Sequence, residues 1–213
     1  MTLAEIITGC NGNSRQAQKE LYGLCYDAMM RTALFYCINK DDAENIVIES
    51  MMDIFKSIKQ TTGRYTLSLM AVKSTVLRKT ININNAKKIG ILYDATEIES
   101  IEIVKQYAKD LRLRKKEVKA LGFVNANQTD RHQQPTIDLD FFTLKDINWF
   151  YKPTGRTVKN FIQSNHDILI SLDMAGCLPL QFISVESNAG FRVGKYNKAN
   201  QSVYDLMIDL QND

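Results

Sequence analysis

Four side chains beyond residue 90 of this 213-residue chain are of the right types to do chemistry together: Asp94, Thr96, Asn125 and Asp173. Each follows an apolar run that reads as a strand, and ligands of open α/β sheets gather beyond the carboxyl ends of the strands. Asn127 and Lys195 fall in equivalent places. Asp94 and Asp173 can pair as acid and base, or hold a cation through oxygen ligands. Turn and capping duty is the plainer use of such residues. A dinucleotide site needs glycines between strand and helix, so that the backbone can approach the pyrophosphate. The turn here is Tyr93-Asp94-Ala95-Thr96-Glu97, with no glycine and two acids that repel phosphate. Gly-x-x-x-x-Gly-Lys-Ser/Thr does not occur either, so no nucleotide cofactor is expected.

Other reactive types are isolated. His132 and His166 have no cysteine or carboxylate at ligand spacing, so they read as surface residues and no metal site is expected. Ser171 and Ser184 lack the turn that exposes a nucleophilic serine. Cys10, Cys25, Cys37 and Cys177 have no metal-type spacing and read as buried or half-buried thiols of a reducing compartment. The aromatic group Phe141, Phe142, Trp149, Phe150 and Tyr151 can stack bases or sugars, or pack a sheet edge.

The elements that position these groups alternate between strand and helix. Ile89-Gly90-Ile91-Leu92-Tyr93 is a continuous apolar run, as expected of a strand buried on both faces. A helix follows from Glu97 to Arg114, then a strand at Val118–Val124, which makes a parallel βαβ unit. Phe141-Phe142 forms a short extended piece, and Thr143 with Asp146 gives a capping pattern. Val158–Ser164 reads as a helix, Asp167–Leu172 as a third strand, and Pro179–Ser187 as a helix. Phe191–Gly194 and Val203–Ile208 complete the strands. The alternation predicts an α/β domain with a three-layer, mostly parallel sheet.

The first sixty residues differ. Leu3–Cys10 reads as a short helix, Asn11-Gly12-Asn13-Ser14 as a stop and restart, and Arg15–Tyr36 as a long amphipathic helix. A third helix starts after Asn39-Lys40-Asp41, with Asp41 or Asp42 as its cap and a buried stripe at Ala43, Ile46, Val47, Ser50, Met51, Ile54, Phe55 and Ile58. This predicts a small all-α bundle. Thr61-Thr62-Gly63 is expected to break the third helix, and Tyr65–Thr80 allows another.

Charge divides the same way. Residues 1–60 carry 6 basic and 8 acidic residues, a net of −2, whereas residues 61–213 carry 21 against 16, a net of +5. From Gln60 to Tyr93 there are six basic residues (Arg64, Lys73, Arg78, Lys79, Lys87, Lys88) and no acid. Such a join can track nucleic-acid phosphates, or simply face solvent. No apolar run reaches the roughly 18–20 residues that span a bilayer, and no basic-then-apolar leader opens the sequence, so a cytoplasmic protein without membrane contact is expected.

Residues 3–60 resemble the second conserved region of sigma-70 family factors, especially the extracytoplasmic-function type. The residues that carry it are the Leu3–Cys10 helix, Ala17-Gln18-Lys19-Glu20-Leu21-Tyr22, Asp42-Ala43-Glu44-Asn45-Ile46-Val47, Glu49 and Phe55. The resemblance implies docking on the RNA polymerase core through Asp42, Glu44, Asn45 and Glu49. It implies weak promoter DNA contact from Arg64, Lys73, Arg78 and Lys79. Ile48 stands where that family usually has Gln, and no helix-turn-helix domain follows.

From about residue 75 the chain resembles a family of small bacterial Rossmann-like proteins with no assigned activity. Asn85–Ala95, Leu121-Gly122-Phe123, Asp140-Phe141-Phe142 with Asn148-Trp149-Phe150, and Tyr204–Ile208 carry it. Asp167–Asp173 and Ala189–Gly194 are more weakly similar to the N-terminal domain of heptose-type glycosyltransferases, which need a second domain that this chain has no room for. The expected organisation is a helical segment over 1–60, a basic linker over 61–86 and a Rossmann-like α/β domain over 87–213. The expected function is transcription-related polymerase docking. The alternative is a small-molecule or protein-binding α/β module without catalysis.

Overall fold

The computed structural model describes residues 1–73, 76–198 and 201–209 and forms two compact units, Met1–Arg64 and Tyr65–Asp213.

The first unit is helical. α1 (Leu3–Asn11) starts in a capping box in which Thr2 and Glu5 satisfy each other's backbone N–H groups. α2 (Arg15–Tyr36) is capped by Ser14, whose hydroxyl accepts the Ala17 N–H. α3 (Lys40–Lys73) begins at Asn39, whose Oδ1 accepts the Asp42 N–H at 2.8 Å. The cap is therefore Asn39 and not Asp41 or Asp42, which instead supply first-turn charge to the helix dipole. Ile6, Cys10, Ala17, Leu21, Val47 and Met51 are buried together in the core of this bundle. Fully burying a side chain of Leu, Ile, Val or Met size stabilises by about 1.5–3 kcal/mol, so this stripe outweighs modest helix propensity.

Thr61-Thr62-Gly63 does not break α3. One internal glycine costs only about 1 kcal/mol relative to alanine. The Thr62 hydroxyl bonds back to the Ile58 carbonyl at 2.9 Å, so it works within the helix rather than against it. The helix expected over Tyr65–Thr80 is in its first part the end of α3, which is described to Lys73. Ser74 and Thr75 lie outside the described residues, and Val76–Thr80 is not helical. There the Lys79 N–H bonds the Gly190 carbonyl instead.

The second unit holds a six-stranded, all-parallel sheet in the order β3-β2-β1-β4-β5-β6. The strands are β1 (Lys88–Asp94), β2 (Glu117–Val124), β3 (Leu139–Thr143), β4 (Ile168–Ser171), β5 (Phe191–Lys195) and β6 (Leu206–Ile208). The short extended piece at Phe141-Phe142 is thus a full edge strand, while the last strand is shorter than Val203–Ile208. Three helices complete the unit: α4 (Ile98–Leu113), α5 (Arg156–Gln163) and α6 (Leu178–Glu186).

Alternation along β1 divides two cores. Ile89, Ile91 and Tyr93 pack with Ile101, Val104 and Leu111 of α4, and Leu92 packs with Phe161, Leu180 and Ile183 of α5 and α6. That is the three-layer, Rossmann-like arrangement the strand–helix alternation predicts. α6 is buried on every side from Leu178 to Val185, Gln181 and Ser184 included. Its Leu180 and Ile183 face the sheet, while Leu178, Phe182 and Val185 pack with Leu67 near the end of α3 and with Val203 and Tyr204. Phe141 and Phe142 point into opposite cores, against Tyr93 and Phe123 respectively, so they are packing residues.

Candidate functional site

β1 and β4 are neighbours whose connections leave in opposite directions along the sheet, so the crevice beyond their carboxyl ends is the topological switch point. Asp94 ends β1. Its Oδ1 accepts the Thr96 N–H at 2.9 Å, and the Thr96 hydroxyl in turn accepts the Asn125 N–H at 3.1 Å. This relay ties the ends of β1 and β2, and it joins three of the four residues singled out by type.

Asp173, the fourth, follows β4 and is 5% exposed. Its Oδ1 accepts the N–H groups of Ala175 and Gly176 at 3.1 and 3.0 Å, and its Oδ2 that of Cys177 at 2.5 Å. Gly176 has φ +77°, the left-handed conformation that lets successive N–H groups converge on one anion. The carboxylate thus fills the nest at the start of α6, where a phosphate oxygen sits in nucleotide-binding sheets. Burial raises the Asp173 carboxyl above its ordinary value, the three N–H groups oppose this, and the nearby Asp94 carboxylate adds to the rise.

Cys177 lies in the same loop. Burial, then Asp173, push its thiol up to about 12, which removes it as a nucleophile at neutral pH. Lys195 reaches back to the Met174 carbonyl at 3.4 Å. Ser171 accepts a hydrogen bond from the buried Tyr204 hydroxyl at 3.1 Å. Asp173, Ser171 and Lys195 thus hold the loops around the switch point, while the Asn125 side chain is exposed. Among the described residues no group of three or more His, Cys, Asp or Glu side chains is arranged to hold a metal ion. The four cysteines are free, with Cys10 buried and the other three half-buried.

In the helical unit, Asp42, Asn45 and Glu49 are exposed and, at spacings of three and four, lie along one side of α3. Glu44 falls on a different side, is half-buried, and pairs with Lys40 at 3.3 Å. Ile46, Ile48 and Met52 flank the exposed acids and are themselves 48%, 49% and 65% exposed, so Ile46 lies outside the buried stripe expected of it. Between α2 and α3 runs an apolar groove of about 420 Å³ lined by Met29, Ala33, Tyr36, Ile46 and Val47. Phe35, Tyr36 and Ile38 stand out beside it. The period of α2 hints at these residues, but nothing in the sequence separates exposed aromatics from core ones.

Of the basic residues, Arg64, Lys73 and Lys79 are exposed. Arg78 is half-buried, and its guanidinium donates to the Ala189 and Ser187 carbonyls. Burial, then the neighbouring Arg192, lower its pKa, and Asp205 opposes that. Its side chain is committed to the α/β unit.

Sequence reasoning missed the opposite end of the sheet. His166 is buried at 5% exposure, against the expectation of a surface residue. Its ring lies 4.8 Å from that of Phe161, and a Cβ on Gly90 would meet it at 2.9 Å. Burial lowers its pKa to about 4, so the ring is neutral at pH 7. Beside it opens a cleft of about 580 Å³ between the segments that lead into β1, β4 and β5. The run Thr80-Ile81-Asn82-Ile83-Asn84-Asn85, rich in asparagine just ahead of β1, was the available signal.

No helix among the described residues is long and apolar enough to cross a membrane. No curated protein and no solved structure matches the chain. A family model does match over residues 59–213, the portion that contains the whole parallel sheet, and the chain accordingly belongs to the family of unknown function DUF6913.

Proposed function

We propose that the chain is a docking protein whose helical unit engages the RNA polymerase core, with the α/β unit as a non-catalytic binding module. The observation that carries this reading is the exposed stripe of Asp42, Asn45 and Glu49 on α3, flanked by exposed Ile46, Ile48 and Met52. An acidic line edged with apolar side chains suits a protein surface with a basic centre and apolar margins. Its position agrees with the docking helix of the sigma factors that residues 3–60 resemble. Glu44, held by Lys40, is a minor contributor. Arg64, Lys73 and Lys79 remain available for weak DNA contact, whereas Arg78 is engaged within its own unit.

For the α/β unit, the filled nest at Asp173 favours binding without nucleotide chemistry, because a phosphate would have to displace a buried carboxylate.

The test is binding of the full-length chain to bacterial core RNA polymerase by biolayer interferometry. Saturable binding that Asp42→Lys with Glu49→Lys weakens by about tenfold or more supports the reading, since both sites are exposed and the fold should survive. Absence of binding at micromolar concentrations rejects it.

A further inference from the structure

We propose that the cleft at the amino-terminal end of the sheet is a binding site for a neutral pyranose sugar. It lies at the opposite end of the strands from the switch point and is independent of the polymerase reading. Its walls come from three segments that precede neighbouring strands: Thr80–Asn85 ahead of β1, Asn165–Asp167 ahead of β4, and Asn188–Gly190 ahead of β5. At about 580 Å³ it is within the range of roughly 300–1,000 Å³ typical of small-molecule sites.

The polar lining is mostly carboxamide. Asn85, Asn165 and Asn188 side chains carry no hydrogen bond among the described residues, and Asn82 uses only its oxygen, on the Asn84 N–H. Each carboxamide offers a donor and an acceptor side by side. A sugar hydroxyl also donates and accepts at once, so adjacent hydroxyls match such a wall. Formal charge in the cleft is balanced between Lys79 and Asp167. Asp167 is already anchored, with one oxygen taking the Lys87 and Lys88 N–H groups at 2.6 and 2.9 Å. A phosphate or carboxylate ligand calls for clustered cations, and a metal ion for clustered acids; neither is present among the described lining residues.

Two further features favour a ring with apolar faces. Ile81 and the His166 ring supply apolar surface in the lining. The buried His166 Nε2 has no hydrogen-bond partner among the described residues, so a small adjustment of the wall would let a ligand hydroxyl satisfy it.

The experiment is NMR titration of the ¹⁵N-labelled full-length chain, following the asparagine side-chain signals. The probes are the methyl glycosides of glucose, galactose, mannose and N-acetylglucosamine, with inorganic phosphate as the charged comparison. At least one glycoside is expected to give saturable shifts of the Asn85, Asn165 and Asn188 signals. Asn85→Ala with Asn188→Ala is expected to weaken that binding by about fivefold or more while the remaining spectrum stays native. Asn165→Ala serves as a second variant if the first is poorly folded. The proposal is overturned if all four glycosides leave these signals unmoved, if the variants bind unchanged, or if phosphate alone moves them.

Discussion

The Asp173 carboxylate receives the Cys177 backbone N–H at 2.5 Å and closes the loop that leads β4 into α6. α6 has no side-chain cap of its own at Cys177, and no acid in its first turn. Asp173, four residues upstream, satisfies the N–H groups of the loop up to the N-cap position, which would otherwise be orphaned, and places negative charge near the positive end of the helix.

Replacing Asp173 by Ala should therefore destabilise the α/β unit by about 2 kcal/mol, the sum expected for a lost cap and buried N–H groups left without an acceptor. Asp173→Asn keeps one acceptor and should cost less. Asp173 raises the Cys177 thiol, second only to burial, so Asp173→Asn should also bring that thiol's pKa down. Chemical denaturation measures the first effect. The pH dependence of iodoacetamide labelling at Cys177 measures the second, and an unchanged labelling profile would contradict the proximity of the two groups.

How much of this was legible beforehand depends on whether the decisive interactions are local. β1 could be read because Ile89–Tyr93 is buried on both faces and so lacks polar interruption. β3 was seen only as two phenylalanines, since Asp140 interrupts its apolar run at an edge position. The third helix was cut short at Thr61-Thr62-Gly63 because propensity argues against it, and it continues because Leu67 is buried beyond that point. Asp94, Thr96 and Asn125 group from their places at strand ends, and hydrogen bonds link them there. The N–H nest that absorbs Asp173 depends on a backbone turn at Gly176 that residue types do not announce. His166 packs against Gly90 across the sheet as well as on nearby Phe161, and Arg192 pairs with Asp205 thirteen residues on; no local pattern encodes the distant contacts.

Arg192 and Asp205 form a two-pronged pair, with Nε to Oδ2 at 3.1 Å and Nη2 to Oδ1 at 2.9 Å, and Arg192 is 7% exposed. Burial pushes the Asp205 carboxyl up, but the paired Arg192 and the nearby Arg78 bring it below its ordinary value overall. Removing Asp205 leaves two guanidinium groups facing each other with one of them buried. Asp205→Ala should thus cost about 3–5 kcal/mol. Asp205→Ala combined with Arg192→Met should cost much less, because the buried charge goes with its partner and the half-buried Arg78 keeps its carbonyl acceptors. A double-mutant cycle by urea unfolding checks the difference. Additive losses would show that the pair is not coupled.

His166 is expected to weaken the fold as pH falls. Its folded pKa is about 4, lowered first by burial, and the groups facing it are Lys88, Glu117, Asp167 and the Phe161 backbone. In the unfolded chain a histidine titrates near about 6.5. Between those values the unfolded state binds the extra proton, so stability rises with pH across that window. The contribution is fully present above about pH 6.5, is lost as pH falls toward 4, and is flat below. Its full size is on the order of 3 kcal/mol, from about 1.36 kcal/mol per pKa unit. Asp167 and Asp205, whose folded values lie below ordinary, lose their own contributions only at lower pH, as each is protonated. His166→Gln keeps a polar side chain without the titration, so its unfolding free energy should be flatter than wild type between pH 4 and 6.5. At pH 7 it should be lower, because the ring packed on Phe161 is gone. Urea unfolding across that pH range checks both effects, and a slope unchanged by the substitution would mean that another group controls the acid transition.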